Sequence, residues 1–243
     1  MPQQFQLELR ASRMLAPTVR HLAFARPDDE ALPYIPGQFL QIHFPIDGKP
    51  GKRSYSVANA PGGDLFEIAV SYVEGGAATA LLSALPEGGR VDASGPYGRF
   101  CLMPNDENRR YLLIGTGTGV TPYRAMLPML AAAHAERGIE VCLLFGARHG
   151  SELLYAEDFE AFAREHSWFR FMPCLSRSDR HSGWTDDRRG YVQDQLLELS
   201  PDPANDIAYL CGNPNMVDAC FEQLKQSGLP IPRIRREKYV SSR

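Results

Sequence analysis

The chain has 243 residues, room for one large domain or two small ones at about 150 residues per domain. Apolar residues make up 44% and charged residues 23%, with 12 Phe, 10 Tyr and 2 Trp, which excludes disorder, collagen and coiled coil. Lys and Arg number 26 against 29 Asp and Glu, a net charge of −3, so nothing global attracts the chain to nucleic acid or an anionic membrane, and any basic patch must be local.

Residues 1–13 alternate polar and apolar without a hydrophobic run, and no later stretch approaches the ~20 apolar residues of a membrane span. The expectation is a cytoplasmic protein, without membrane or nucleic-acid partners and monomeric. Cys101, Cys142, Cys174, Cys211 and Cys220 are odd in number and contain no C-x-x-C pair, which argues against disulfides, structural zinc and an iron-sulfur cluster in this chain. His21, His43, His134, His149, His166 and His181 show no ligand spacing. No metal site is assigned.

In chain order, residues 6–10, 19–25, 39–44, 54–57, 65–73 and 90–93 read as strands, and only residues 77–85 suggest a helix. Gly and Pro punctuate the rest at Pro36-Gly37, Pro61-Gly62-Gly63, Glu87-Gly88-Gly89 and Gly95-Pro96, as in a small antiparallel Greek-key β-barrel. The polar segment 103–110 marks a domain boundary, giving domains at 1–103 and 109–243. Beyond it, apolar runs at 111–114, 141–145, 170–175 and 207–211 have the length of buried parallel strands. They alternate with helical segments at 122–137, 156–165, 192–199 and 214–227. That order predicts a doubly wound α/β domain with ligands at the carboxyl ends of its strands.

Directly after the first of these strands stands Gly115-Thr116-Gly117-Thr118-Gly119-Val120-Thr121-Pro122. Glycines let a backbone approach a pyrophosphate, amides at a helix start bind the anion with the threonine hydroxyls, and Pro122 suits a first helical turn; a tight strand-to-helix connection is the plainer alternative. The second strand ends Phe145-Gly146-Ala147-Arg148, without the acid that usually holds a ribose 2′-hydroxyl. Arg148, with Ser176-Arg177 closing the next strand and Arg188-Arg189 further on, suits a 2′-phosphate instead and hence NADP. Solvated surface charge is the competing account, evenly balanced for Arg188 and Arg189.

In the first half, alternation puts Arg53 and Tyr55 of Arg53-Ser54-Tyr55-Ser56 on one strand face. A ring and a guanidinium there fit a planar cofactor with a phosphate tail, or a plain cross-strand pair. The small residues Gly75-Gly76-Ala77-Ala78-Thr79 open the lone helix of this half as a second anion site.

Together these motifs resemble the ferredoxin-NADP reductase family. Arg53 to Ser56 is similar to its flavin signature, Gly76 to Thr79 to its pyrophosphate helix, and Gly95-Pro96-Tyr97-Gly98-Arg99-Phe100 to the turn ending its barrel. Gly115 to Pro122 is similar to its NADP loop, Arg148 with Ser176-Arg177 to its 2′-phosphate site, and Cys211-Gly212-Asn213-Pro214 to its nicotinamide-side motif. The matches keep the family's order from about Pro36 to Tyr239. The resemblance implies an FAD barrel, an NADP(H) domain and hydride transfer, with single electrons exchanged with ferredoxin or flavodoxin.

Carried over, Tyr55 stacks on one flavin face, Ser56 bonds near N5, Arg53 binds the FAD phosphates and Cys211 flanks the nicotinamide. Glu237 orients the site and Tyr239 covers the other flavin face. The residues Val240-Ser241-Ser242-Arg243 follow, where a plant-type chain stops at that Tyr, as in bacterial relatives whose tails continue along the FAD. Arg233, Arg235, Arg236, Lys238 and Arg243 make the last eleven residues locally basic, a docking site for an acidic carrier. The alternatives are an oxygenase reductase component, a free-flavin reductase, or a flavin-free binding module on the same scaffold.

Overall fold

The computed structural model describes residues 2–46, 48–178 and 184–240; His181 and the last three residues of the tail lie outside them. The chain divides into one compact unit of Met1–Leu102 with Thr121–Met126 and another of Met103–Val120 with Leu127–Val240. Among the described residues, no helix is long and apolar enough to cross a membrane.

The first unit is an antiparallel sheet of β1 (Gln3–Ala16), β2 (Val19–Ala25), β3 (Phe39–Ile46), β4 (Lys49–Ser56), β5 (Leu65–Ser71) and β6 (Arg90–Tyr97), with α1 (Ala77–Ala84) between the last two. Strand order is β4-β3-β6-β1-β2-β5. The edges meet just past β4, where Val57 bridges Ile68 and the Ala58 amide donates to Glu67 O at 2.7 Å, which closes a barrel. Period-two alternation sends Leu7, Leu9, Leu22, Leu40, Ile42 and Ile68 inward, each at most 1% exposed.

Three strands of this unit outrun their sequence signal by several residues, β6 running on through Gly95-Pro96 to Tyr97. β1 extends through the polar residues around Ser12 and Arg13, which pair with Leu22 and His21 of β2. β4 begins at Lys49 and runs through Pro50 and Gly51, ahead of the expected start at Ser54. It sits at the end of the hydrogen-bonded order, where a strand tolerates proline because one side of its ladder is unpaired.

The second unit is a parallel sheet of β7 (Arg110–Thr116), β8 (Glu140–Ala147), β9 (Phe169–Leu175), the two-residue β10 (Arg188–Arg189), β11 (Asp206–Gly212) and β12 (Ile234–Lys238). Helices α2 (Thr121–Arg137), α3 (Ala156–Glu165), α4 (Val192–Leu196) and α5 (Pro214–Gln226) connect them. The order is β10-β9-β8-β7-β11-β12. Even-numbered strand residues such as Ile114, Leu144, Met172 and Leu210 pack with Leu196 of α4 and Val217 and Leu224 of α5. Odd-numbered ones face the other way, Phe171 meeting Phe159 of α3 at 5.4 Å and Tyr209 stacking on Tyr111 at 6.3 Å. Both faces are therefore covered, which is why these strands read as continuous apolar runs.

The segment 192–199 is not one helix: α4 ends at Leu196 and a 3-10 turn covers Leu197–Leu199. β12 carries no apolar pattern beyond Ile234 and is absent from the sequence reading. It is an outer strand with four charged residues, the composition by which edge strands avoid pairing with other chains.

Candidate cofactor and nucleotide sites

In the first unit the register settles the face question. Arg53 is opposite Ile42 and Tyr55 opposite Leu40, and residues directly opposite share a face. Tyr55 packs against the barrel core. Burial pushes its phenol up to about 12, against the opposing pull of the Arg53 charge. The Arg53 guanidinium stands 5.8 Å from the Phe44 ring centroid and donates to Lys52 O at 3.0 Å. Ser56 lies on the opposite face, paired with Phe39 and 6% exposed.

The start of α1 is built from small residues. Gly76 is its N-cap in extended conformation without a side-chain cap, so the amides of Ala77, Ala78 and Thr79 belong to a first turn that has no intrahelical acceptors. Gly75 turns at φ +71° with open space where a Cβ would stand. The Thr79 hydroxyl is used within the fold, accepting from Val73 N at 3.3 Å, so this residue presents its amide rather than its side chain. A ring-and-guanidinium face together with an uncluttered helix start fits a planar ring carrying a diphosphate.

In the second unit strand order reverses between β7 and β11, the crevice where open α/β sheets bind ligands. β7 ends at Thr116, and a 3-10 turn of Gly117–Val120 runs straight into α2. The glycines of this turn do different work. A Cβ on Gly119 would fall 2.3 Å from Cys211 O, whereas Gly117, at φ +55°, faces open space. Gly212, at φ +126°, would put a Cβ 2.5 Å from Thr116 O. Gly119 and Gly212 thus let β7, its turn and β11 close together, and Gly117 leaves room for a ligand backbone contact. The Thr116 hydroxyl accepts from Asn213 N at 3.0 Å and Thr121 is 2% exposed, whereas Gly117 is exposed and Thr118 half-buried. Asn213 caps α5, accepting from Asn215 N at 2.9 Å.

At the end of β11, Cys211 is fully buried and pairs in register with Glu237 of β12. Burial, and then the Glu237 charge, push the thiol well above its ordinary value, while a hydrogen bond from Tyr239 pulls the other way. Burial alone raises the Glu237 carboxyl to about 7. The Tyr239 amide donates to Gly212 O at 2.8 Å. Cys211, Glu237 and Tyr239 therefore form one cluster, assembled by a strand that the sequence does not announce.

The ends of β8 and β9 are zipped together. Ser176 N donates to Ala147 O at 3.1 Å and Arg177 N to Arg148 O at 3.0 Å, which brings Arg148, Ser176 and Arg177 side by side. His149 Nδ1 and Ser178 Oγ add a contact at 2.9 Å. Arg188 ion-pairs with Asp186 at 3.1 Å. One residue here was missed in the sequence: Glu152, whose carboxylate grips Arg148 at 2.6 Å. The four-residue Arg148 to Glu152 spacing was its only signal. Among the C-terminal cations, Arg236 lies over Phe221 at 3.7 Å, Lys238 pairs with Asp218 at 2.7 Å and Arg233 donates to the carbonyls of Pro203 and Ala204. Among the described residues no group of three or more His, Cys, Asp or Glu is placed to hold a metal ion.

A closed antiparallel barrel with a flavin-type face, followed by a doubly wound domain with a glycine turn at its switch point, defines a two-domain flavin and nicotinamide oxidoreductase. Residues 6–101 match the oxidoreductase FAD-binding domain and residues 113–222 the oxidoreductase NAD-binding domain. The chain belongs to the ferredoxin-NADP reductase family, whose members bind FAD and NAD(P). It is 37% identical to ferredoxin--NADP reductase B of Sorangium cellulosum over 97% of both chains. It is 36% identical to the reductase subunit of an aromatic O-demethylase from Amycolatopsis over 87% of this chain, spanning 62% of that one. The crystal structure of an Amycolatopsis cytochrome P450 reductase superimposes with a TM-score of 0.87 at 31% identity, covering 99% of this chain and 71% of that one.

Proposed function

We propose that the protein is an FAD enzyme that exchanges a hydride with NADP(H) and single electrons with a separate protein carrier, ferredoxin or flavodoxin. The observation that carries this reading is the match, over 97% of both chains, to a relative that bears the name ferredoxin-NADP reductase. FAD, when bound, supplies the link between two-electron and one-electron chemistry. The chain's own residues supply binding and order. Tyr55 covers one ring face, Arg53 and the amides of Gly76, Ala77, Ala78 and Thr79 take the diphosphate, and Ser56 positions the reacting edge. Gly115, Thr116, Gly117, Thr118 and Gly119 receive the NADP pyrophosphate, and Arg148, Ser176 and Arg177 its 2′-phosphate. Cys211 packs beside the nicotinamide. Tyr239, hydrogen-bonded to Cys211, covers the second ring face and moves aside for the nucleotide. Glu237 keeps a proton beside them up to about pH 7.

A second reading, reductase component of an oxygenase, is favoured by the 36% identity to the O-demethylase subunit. Acceptor competition separates these readings. NADPH oxidation is followed with ferredoxin, flavodoxin, an oxygenase and free FMN in turn. A protein carrier docking on the basic β12 region predicts turnover that falls as salt rises, because surface charge is screened beyond about 10 Å at 0.1 M. Free FMN accepting electrons as well as any protein, without salt dependence, would overturn the carrier reading.

A further inference from the structure

We propose that Glu152 determines nucleotide specificity: by neutralising Arg148 at the end of β8, it admits an adenosine with a free 2′-hydroxyl and keeps the preference for a 2′-phosphate small. This deepens the reading above and rests on Arg148, Ser176 and Arg177 forming the adenosine pocket.

The contact is two-pronged. Arg148 Nη2 reaches Glu152 Oε1 at 2.6 Å and Nε reaches Oε2 at 3.2 Å, while the Arg148 amide also donates to Oε2 at 3.1 Å. One edge of the guanidinium, Nε and Nη2, is thus engaged with both oxygens of the carboxylate. A 3-10 turn of Gly150–Glu152 directly after β8 fixes the acid in place, with Glu152 N donating to His149 O at 3.0 Å. Burial opposes the ionised carboxylate, but the Arg148 hydrogen bonds outweigh it and the acid titrates below its ordinary value.

The pair contributes little to folding stability: the Arg148 side chain is 58% exposed and Glu152 25%, and ion pairs so open to solvent are worth little. Its consequence lies in what approaches. A 2′-phosphate carries about −1.5 to −2 charge near neutral pH, so it meets a carboxylate beside a guanidinium whose charge is already balanced, which weakens what Arg148 adds to Ser176 and Arg177. A ribose 2′-hydroxyl meets no such conflict, since a carboxylate at the end of the second strand accepts its hydrogen bond.

The test uses the FAD-loaded protein and two probes that differ only in the 2′-phosphate, adenosine 2′,5′-bisphosphate and 5′-AMP, titrated by calorimetry. Wild type is expected to favour the bisphosphate by less than about tenfold. Glu152→Gln keeps the side chain's shape without the charge, and frees Arg148 for the anion. It should tighten the bisphosphate about tenfold and leave AMP within about twofold, by the electrostatics of one removed charge. Glu152→Asp keeps the charge on a shorter stem and should leave the bisphosphate no tighter than in wild type. If Glu152 only staples the loop, both variants move the two probes together; that pattern, or an unchanged ratio in the Gln variant, overturns the proposal. A wild type that binds neither probe overturns the pocket reading beneath it instead.

Discussion

Glu237 is a carboxyl whose surroundings move its titration up to neutral pH. Its carboxyl is ionised at neutral pH in an unfolded chain, near 4.5, but is lifted to about 7 by burial in β12 against Cys211. A group whose folded value is raised contributes stability below its unfolded value and loses it as pH climbs through the folded one. Wild type should therefore lose stability relative to Glu237→Gln between about pH 4.5 and pH 7 and level off above. After allowance for solvent screening the loss is on the order of 1–2 kcal/mol. Urea midpoints for both proteins at pH 5 and pH 8 check this: the gap should widen at pH 8, and parallel behaviour would show that the carboxyl is not desolvated. Glu237 also marks a limit of sequence reading. Its place in the motif was legible, but the neighbour that defines it, Cys211, lies 26 positions back and meets it only through sheet register.

Among elements, the turn between β7 and α2 holds one glycine that packing requires, Gly119, and one that faces open space, Gly117. Gly119→Ala forces a methyl to within 2.3 Å of Cys211 O, a backbone atom that can move only by parting β11 from the turn. The expected cost is about 3 kcal/mol or more, in the range of severe overpacking. Gly117→Ala meets nothing and pays only the left-handed backbone cost of roughly 1–2 kcal/mol, so its main effect should be on nucleotide affinity. Thermal melts and NADP titrations of the two variants should give this crossed pattern. Equal destabilisation would mean that both glycines serve packing. The strand-turn-helix context of this loop was readable because a run buried on both faces stands out in composition, and β2 and α3 were likewise found at their observed limits. β12 was not: Arg235, Arg236, Glu237 and Lys238 carry no alternation, and only pairing with β11 makes them a strand. Glu152 escaped for a related reason, since a surface acid acquires meaning only from the guanidinium it grips.

For the whole molecule, order along the chain is the strongest sequence signal. A flavin-type strand, a small-residue helix start, a glycine turn after the first parallel strand and a Cys-Gly-Asn-Pro motif at the carboxyl end of the strand beside it each have plainer explanations alone. A closed barrel preceding a parallel sheet accommodates all of them at once, at positions where those folds bind ligands. The net charge of −3 conceals the local basic character of β12 and the turn before it, part of which is spent by Lys238 on Asp218 and by Arg233 on carbonyls of its own unit. In the proposed reaction a nicotinamide nucleotide delivers a hydride to FAD held by this chain. Anaerobic mixing of the FAD-loaded protein with NADPH, followed by the visible flavin absorbance in a single turnover, tests it most directly. The absorbance should be lost within one turnover, and Ser56→Ala should slow that loss by up to about 100-fold, the cost of misplacing reacting groups by about 1 Å. Absorbance left unchanged by NADPH and NADH, but removed by dithionite, would contradict the account.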